Sequence, residues 1–145
     1  MGDFRKLGET MMASPQISVE DVAAAAAEGV TLIVNNRPDG ESLDQPEGAE
    51  IAAAAADAGV GYCAIPITHA GFSLPQVEAM REAMDSADGK VLAYCRSGTR
   101  STLLWALAEA KAGKDPEDIA RAAMQAGYDI GPIRPTVDML AGKTG

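Results

Sequence analysis

Three short apolar runs, each ending in a polar loop, constrain this chain more than any other feature. Residues 30–34, 61–67 and 90–94 are rich in aliphatic and β-branched side chains, and each reads as a strand. The segments between them are rich in alanine and carry helix signals at their ends. Ser18, followed by Glu20 and Asp21, reads as an N-cap with acidic residues in the first turn, and its helix runs to Glu28 before Gly29 stops it. A second helix is predicted over residues 47–58, before Gly59. A third is predicted over 73–84, where Leu74, Val77, Met80, Arg81 and Met84 recur at helical spacing. Asp88-Gly89 turns the chain into the run at 90–94. Helices over 101–112 and 116–126 follow, the latter with Pro116 at its first position behind a capping Asp115. Residues 4–7 and 10–13 read as short extended segments, and the tail from Tyr128 to Thr144 is interrupted by Gly131, Pro132 and Pro135, with room for a short final helix. Strands alternating with helices predict an α/β fold with a mostly parallel central sheet covered by helices on both faces. Ligand chemistry is then expected at the C-terminal ends of the strands.

Composition narrows the function. With 145 residues, 47% hydrophobic and only 4% aromatic, the whole of 1–145 is expected to form a single domain around an aliphatic core. The formal net charge of −9 would repel a phosphodiester backbone, and the twelve basic residues form no run that could track one, so no nucleic-acid partner is expected. The first residues lack the apolar stretch of a signal peptide, and no window approaches the ~20 apolar residues of a membrane span. A cytoplasmic location with no membrane contact is therefore expected. Gly2 is followed by Lys6 where a myristoylation signal wants Ser or Thr. Two cysteines and one histidine are too few for a disulfide framework or a zinc set, so neither metal nor cofactor is expected.

The sharpest chemical signal is Cys95-Arg96-Ser97-Gly98-Thr99-Arg100-Ser101, between an apolar strand and a helix. A tight loop in that setting turns its backbone N–H groups inward around an anion. Gly98 gives the backbone freedom, Ser97, Thr99 and Ser101 offer hydroxyls, and Arg100 can present a bidentate fork to an oxyanion. The same amides, the positive end of the following helix and the two arginines favour a thiolate, so Cys95 is expected to be a nucleophile. A buried structural cysteine is the bland alternative, but two arginines and three hydroxyls at a strand-to-helix junction have little packing rationale. Cys63, inside an apolar run, reads as an inert buried thiol and Trp105 as core. Gly142-Lys143-Thr144 imitates the end of a nucleotide-binding loop, but Val137 stands where the upstream glycine belongs.

Tyr94 through Ser101, taken with Asn35-Asn36-Arg37-Pro38-Asp39-Gly40-Glu41 and Ile65-Pro66-Ile67, resembles the phosphatase-like domain of beta-lactamase-hydrolase-like proteins, a likeness that covers residues 4–126. The resemblance implies a dual-specificity protein tyrosine phosphatase-like fold in a family whose members are labelled phosphatases or sulfur transferases. Two departures bear on that choice. Tyrosine phosphatases place five residues between the cysteine and the arginine, commonly after a histidine; this chain has four, after Tyr94, and so resembles the shorter loop of single-domain rhodaneses, which carry a persulfide. Dual-specificity phosphatases also place an aspartic general acid after the strand that corresponds to residues 61–67, where this chain reads Thr68-His69-Ala70-Gly71. Protonating an alkoxide by a positioned acid is worth ~100-fold or more, whereas expelling sulfite from thiosulfate needs none. His69 or Asp39 are the possible substitutes.

The sequence therefore leaves three readings: sulfur transfer through a Cys95 persulfide, which the loop favours; phosphate-monoester hydrolysis through a phosphocysteine; and anion binding without turnover. In the first two Cys95 attacks, Arg100 and the loop amides stabilise the anion, and Ser101 can assist the departing thiolate. Arg96 and Arg37, with Ser97, Gly98 and Thr99, are expected to bind the substrate, a small anion such as thiosulfate, a persulfide or a phosphate ester. A sulfur acceptor or a dioxygenase-type partner protein is the macromolecular partner that the resemblance implies.

Overall fold

The structure is a computed structural model and describes residues 3–142; Gly2 and the Lys143-Thr144 of the apparent nucleotide loop lie outside it. Five strands, β1 (Arg5–Gly8), β2 (Met11–Ser14), β3 (Val30–Asn35), β4 (Gly61–Ala64) and β5 (Lys90–Tyr94), form one sheet in the order β1-β2-β5-β3-β4. β2, β5, β3 and β4 run parallel, and only the edge strand β1 is antiparallel, because it is joined to β2 by a tight turn. Among the described residues six α-helices cover the sheet: α1 (Val19–Ala27), α2 (Gly48–Asp57), α3 (Leu74–Ser86), α4 (Thr99–Lys111), α5 (Pro116–Gln125) and α6 (Arg134–Leu140). The predicted α/β order is thus the observed one.

Local chemistry sets where the helices begin. At α1 the Ser18 hydroxyl accepts from Asp21 N at 3.2 Å while the Asp21 carboxylate accepts from Ser18 N at 2.9 Å. Ser73 and Gln76 make the same reciprocal box at α3, and Asp115 accepts from Glu117 N at 3.0 Å at α5. Helix α4 has no side-chain cap; it starts from Gly98 in the left-handed region, which frees its first amides for another acceptor.

The alternation of side chains along the strands divides the core into two layers. Ile33, Leu92 and Tyr94 face α1 and α2, packing on Val22, Ala25, Ile51 and Ala55. Val34, Val91 and Ala93 face the other helices and meet Val77, Met80, Leu104, Ile119 and Val137. Trp105 is buried here among α4's neighbours, as the sequence led one to expect. Helix α4 is buried on nearly every side, so the helix that carries Arg100 and Ser101 cannot shift without disturbing α3, α5 and α6.

The second apolar run forms a shorter strand than expected. β4 stops at Ala64, because Pro66 has no N–H with which to continue the ladder. The chain still runs alongside β3, with Ile65 N donating to Asn35 O at 2.9 Å and Ile67 N to Asn36 O at 3.0 Å. That extension carries residues 65–71 past the sheet edge to the rim of the cysteine loop. Among the described residues no helix is long and apolar enough to cross a membrane.

Candidate active site

β5 delivers Cys95 at its C-terminal end between the ends of β2 and β3, where Cys95 N donates to Ser14 O at 3.3 Å and Asn36 N to Tyr94 O at 2.8 Å. The Cys95 side chain is fully buried, and its sulfur accepts from Gly98 N at 3.1 Å. An inward amide on Sγ is what the loop sequence predicts of an anion cradle. The turn that aims it has Gly98 at φ +92°, and a Cβ there would run into the Tyr128 hydroxyl. Tyr128 O–H in turn donates to Ser97 O at 3.1 Å, so the residue that demands glycine also braces the loop. Thr102 Oγ1 donates to Gly98 O at 2.8 Å and ties the turn to α4.

The hydroxyls and Arg96 do not all face inward. Ser97 Oγ donates to Thr99 Oγ1 at 3.0 Å and accepts from Thr99 N at 3.3 Å, and both residues are exposed. Arg96 is exposed too, beside the mouth of the loop, its backbone carbonyl accepting from Gln16 N at 3.2 Å.

Arg100 occupies the first turn of α4. Its Nη1 donates to Glu41 Oε2 at 2.8 Å and to Ile67 O at 2.9 Å, and its Nη2 donates to Glu41 Oε1 at 2.8 Å. A guanidinium has five N–H bonds, and three are spent. The remaining two, on Nε and the neighbouring side of Nη2, form a parallel fork along one edge; Cys95 acts on the guanidinium as a further partner, and the fork has the geometry to take an oxyanion bidentately. Glu41 and then Cys95 raise the Arg100 guanidinium further, which keeps it charged against its own partial burial.

Glu41 also accepts from Arg37 Nε at 2.9 Å, so one carboxylate bridges two guanidinium groups. Arg100 first and Arg37 second hold the Glu41 carboxyl down to about 2. Arg37 is 5% exposed, and its other ends donate to Gln16 Oε1 at 3.0 Å and Ser42 Oγ at 3.5 Å. The sequence expectation is that Arg37 contacts substrate; in the structure three of its five N–H donors are engaged within the protein, where it supports Glu41.

Ser101 is buried, and its Oγ donates to Asn36 Oδ1 at 2.7 Å, while Asn36 Nδ2 donates to Ile65 O at 2.9 Å. The hydroxyl proton that the sequence reading assigned to the departing thiolate is directed at Asn36 instead. Asp39 is exposed, and its Oδ1 accepts from Gly48 N at 2.8 Å, at the first residue of α2. This carboxylate satisfies a helix N-terminus, so the expected role as a proton donor at Cys95 finds no geometric support. His69 is exposed on the turn closed by Thr68 and Gly71, two residues beyond the carbonyl that holds Arg100. Cys63 lies on β4, with β3 between it and the strand that ends at Cys95. Strands sit about 4.8 Å apart, so the two cysteines exceed the ~7 Å limit for a disulfide. Burial pushes the Cys63 thiol up, in keeping with an inert group.

Glu41, Asn36 and Tyr128 are the site residues that sequence reasoning did not single out. Asn36 and Glu41 lie in the loop motif that carries the family resemblance, and Glu41 had the further signal of a carboxylate four residues after Arg37.

The family model for the phosphatase-like domain of beta-lactamase hydrolase-like proteins matches residues 3–112. A beta-lactamase hydrolase-like protein of Xylella fastidiosa is 33% identical over 126 residues, covering 86% of this chain and 29% of its own length. This chain therefore spans under a third of that curated relative. Among solved structures, a candidate phosphatase of Neisseria meningitidis superposes with a TM-score of 0.84 at 36% identity, covering 95% of this chain and 98% of that one. Tk-PTP, solved in its active form, superposes with a TM-score of 0.72 at 16% identity, covering 98% of each chain, and shows the fold to be protein tyrosine phosphatase-like.

Proposed function

The chain belongs to the family of phosphatase-like domains of beta-lactamase hydrolase-like proteins, and from that premise we propose that it is a cysteine-dependent anion-loop enzyme whose Cys95 carries sulfur as a persulfide. The observation that carries the sulfur preference is the state of the two carboxylates on the loop after β3. Glu41 is held ionised by two arginines and Asp39 is bonded to the start of α2, which leaves neither to protonate a leaving group.

In the first step the Cys95 thiolate attacks the sulfane sulfur of a small anion such as thiosulfate. The new S–S bond forms as the old one breaks, and sulfite leaves with the bonding pair. The inward Gly98 amide holds the Cys95 sulfur, and the Nε edge of Arg100 holds the oxyanion end. In the second step an acceptor thiolate attacks the outer sulfur, leaves as a persulfide, and returns the electron pair to Cys95. Neither departure needs a proton. Cys63 is out of reach, so the acceptor comes from outside, as a small thiol or on a partner protein. Arg96, exposed at the mouth, steers the anion.

A second reading is phosphate-monoester hydrolysis. It draws on the likeness to the N. meningitidis candidate phosphatase. Here Cys95 attacks phosphorus, a phosphocysteine forms, and His69 supplies the proton to the departing alkoxide. Parallel assays distinguish the two: sulfite release from thiosulfate with a cyanide acceptor, and phosphate release from an aryl phosphate, each with wild type, Cys95→Ser and His69→Asn. Sulfite release that needs Cys95 but not His69, at a rate well above phosphate release, is the expected result. Phosphate release that needs both residues, with no sulfite, would make the chain a phosphatase.

A further inference from the structure

The anion cradle contains a resident anion of its own. Arg37 and Arg100 bring two positive charges to it, and the Glu41 carboxylate removes one, bonded to both at 2.8 to 2.9 Å. We propose that Glu41 is a specificity-determining residue, a charge filter that makes the site favour singly charged sulfur donors over doubly charged oxyanions. The inference rests on the reading of Cys95 to Arg100 as an anion cradle.

Geometry places the filter within range of the substrate. Glu41 takes the Nη1 and Nη2 end of the Arg100 guanidinium, and the fork is the adjoining Nε edge. A bound oxyanion and the Glu41 carboxylate are thus held by one planar group, a few ångströms apart. Like charges so placed repel in proportion to the substrate's charge. The filter stays charged across ordinary pH, because its two arginine partners hold it ionised down to about pH 2. It is also fixed in place. Ile67 O pins Arg100 from the other side, Gln16 and Ser42 pin Arg37, and Gln45 Oε1 accepts from Glu41 N at 3.0 Å.

The other charges near the cradle do not replace it. Arg96 and Asp44 are both exposed, of opposite sign and open to screening. With Glu41 present, the set of Arg37, Arg100 and Glu41 sums to a single positive charge, which the Cys95 thiolate offsets. A persulfide anion, with one charge, enters a nearly neutral site; thiosulfate, with two, brings an excess negative charge into it. Phosphate monoesters carry the same penalty, so the filter also reduces phosphate turnover by a site of this shape.

The test compares two anions that share a three-oxygen face and differ by one charge, thiosulfate and methanesulfonate. Their affinities are measured by titration calorimetry against the Cys95→Ser protein, which cannot react, with Glu41 intact, Glu41→Gln and Glu41→Asp. Glu41→Gln is expected to improve thiosulfate binding over methanesulfonate binding on the order of ten-fold. Glu41→Asp keeps the charge and is expected to leave the ratio of the two affinities as it is, even where both weaken. An unchanged ratio in Glu41→Gln, or the same shift in Glu41→Asp, would overturn the filter while leaving the cradle standing. No binding of either anion to any of the three proteins would overturn the cradle, and the filter with it.

Discussion

At the scale of single residues the site depends on contacts between side chains that pack against, rather than merely follow, one another. Gly98 is the clearest case. Its φ of +92° disfavours any other residue, and a methyl group there would displace the Tyr128 hydroxyl from Ser97 O. Gly98→Ala is expected to lower the melting free energy by about 1–3 kcal/mol and to weaken anion binding, because the amide that points at Cys95 would turn away. Thermal unfolding and anion titration of the same sample check both parts; full binding in a destabilised protein would separate the strain from the site. Asn36 is the second case. Its amide satisfies Ser101 Oγ and Ile65 O at once, both out of contact with solvent. Asn36→Leu leaves the two without that partner and is expected to cost about 1–3 kcal/mol in chemical denaturation.

At the scale of elements, the three polar loops at the C-terminal strand ends are joined through side chains. The loop after β3 supplies Glu41, the extension beyond β4 supplies Ile67 O, and Arg100 at the start of α4 binds both. Removing the arginine should therefore uncouple three elements as well as an anion site. Arg100→Lys keeps a charge but cannot hold Glu41 and Ile67 while presenting a fork, so catalytic turnover is expected to fall ~100-fold or more with a smaller effect on melting temperature. The strands and helices themselves were legible in the sequence, since periodicity and capping act within a few residues, as at Ser18, Ser73 and Asp115. Cys95 and the loop that follows it were legible for the same reason. The rest of the site was not, because its contacts join residues far apart in the chain: 59 positions separate Glu41 from Arg100, 65 separate Asn36 from Ser101, and 31 separate Ser97 from Tyr128. No local pattern encodes those pairings.

At the scale of the whole molecule, a chain of formal net charge −9 places Arg37 and Arg100 together at the C-terminal end of its sheet, bridged by Glu41. The Glu41 bridge ties that charge to folding. Its carboxyl, ordinarily near 4.5, lies at about 2 in the folded chain, so the bridge contributes stability that is fully present above pH 4.5 and lost as the pH falls toward 2. Because the group is partly exposed, solvent screening limits the contribution to about 2 kcal/mol or less. Urea denaturation at stepped pH should show that slope in the wild type and a shallower one in Glu41→Gln. The central claim, that Cys95 is a nucleophile that takes up sulfur in an anion cradle, is tested most directly by intact-mass spectrometry after incubation with thiosulfate. A gain of one sulfur that maps to Cys95 and is absent from Cys95→Ser is the expected result; an unmodified Cys95, or the same gain in the variant, would contradict it.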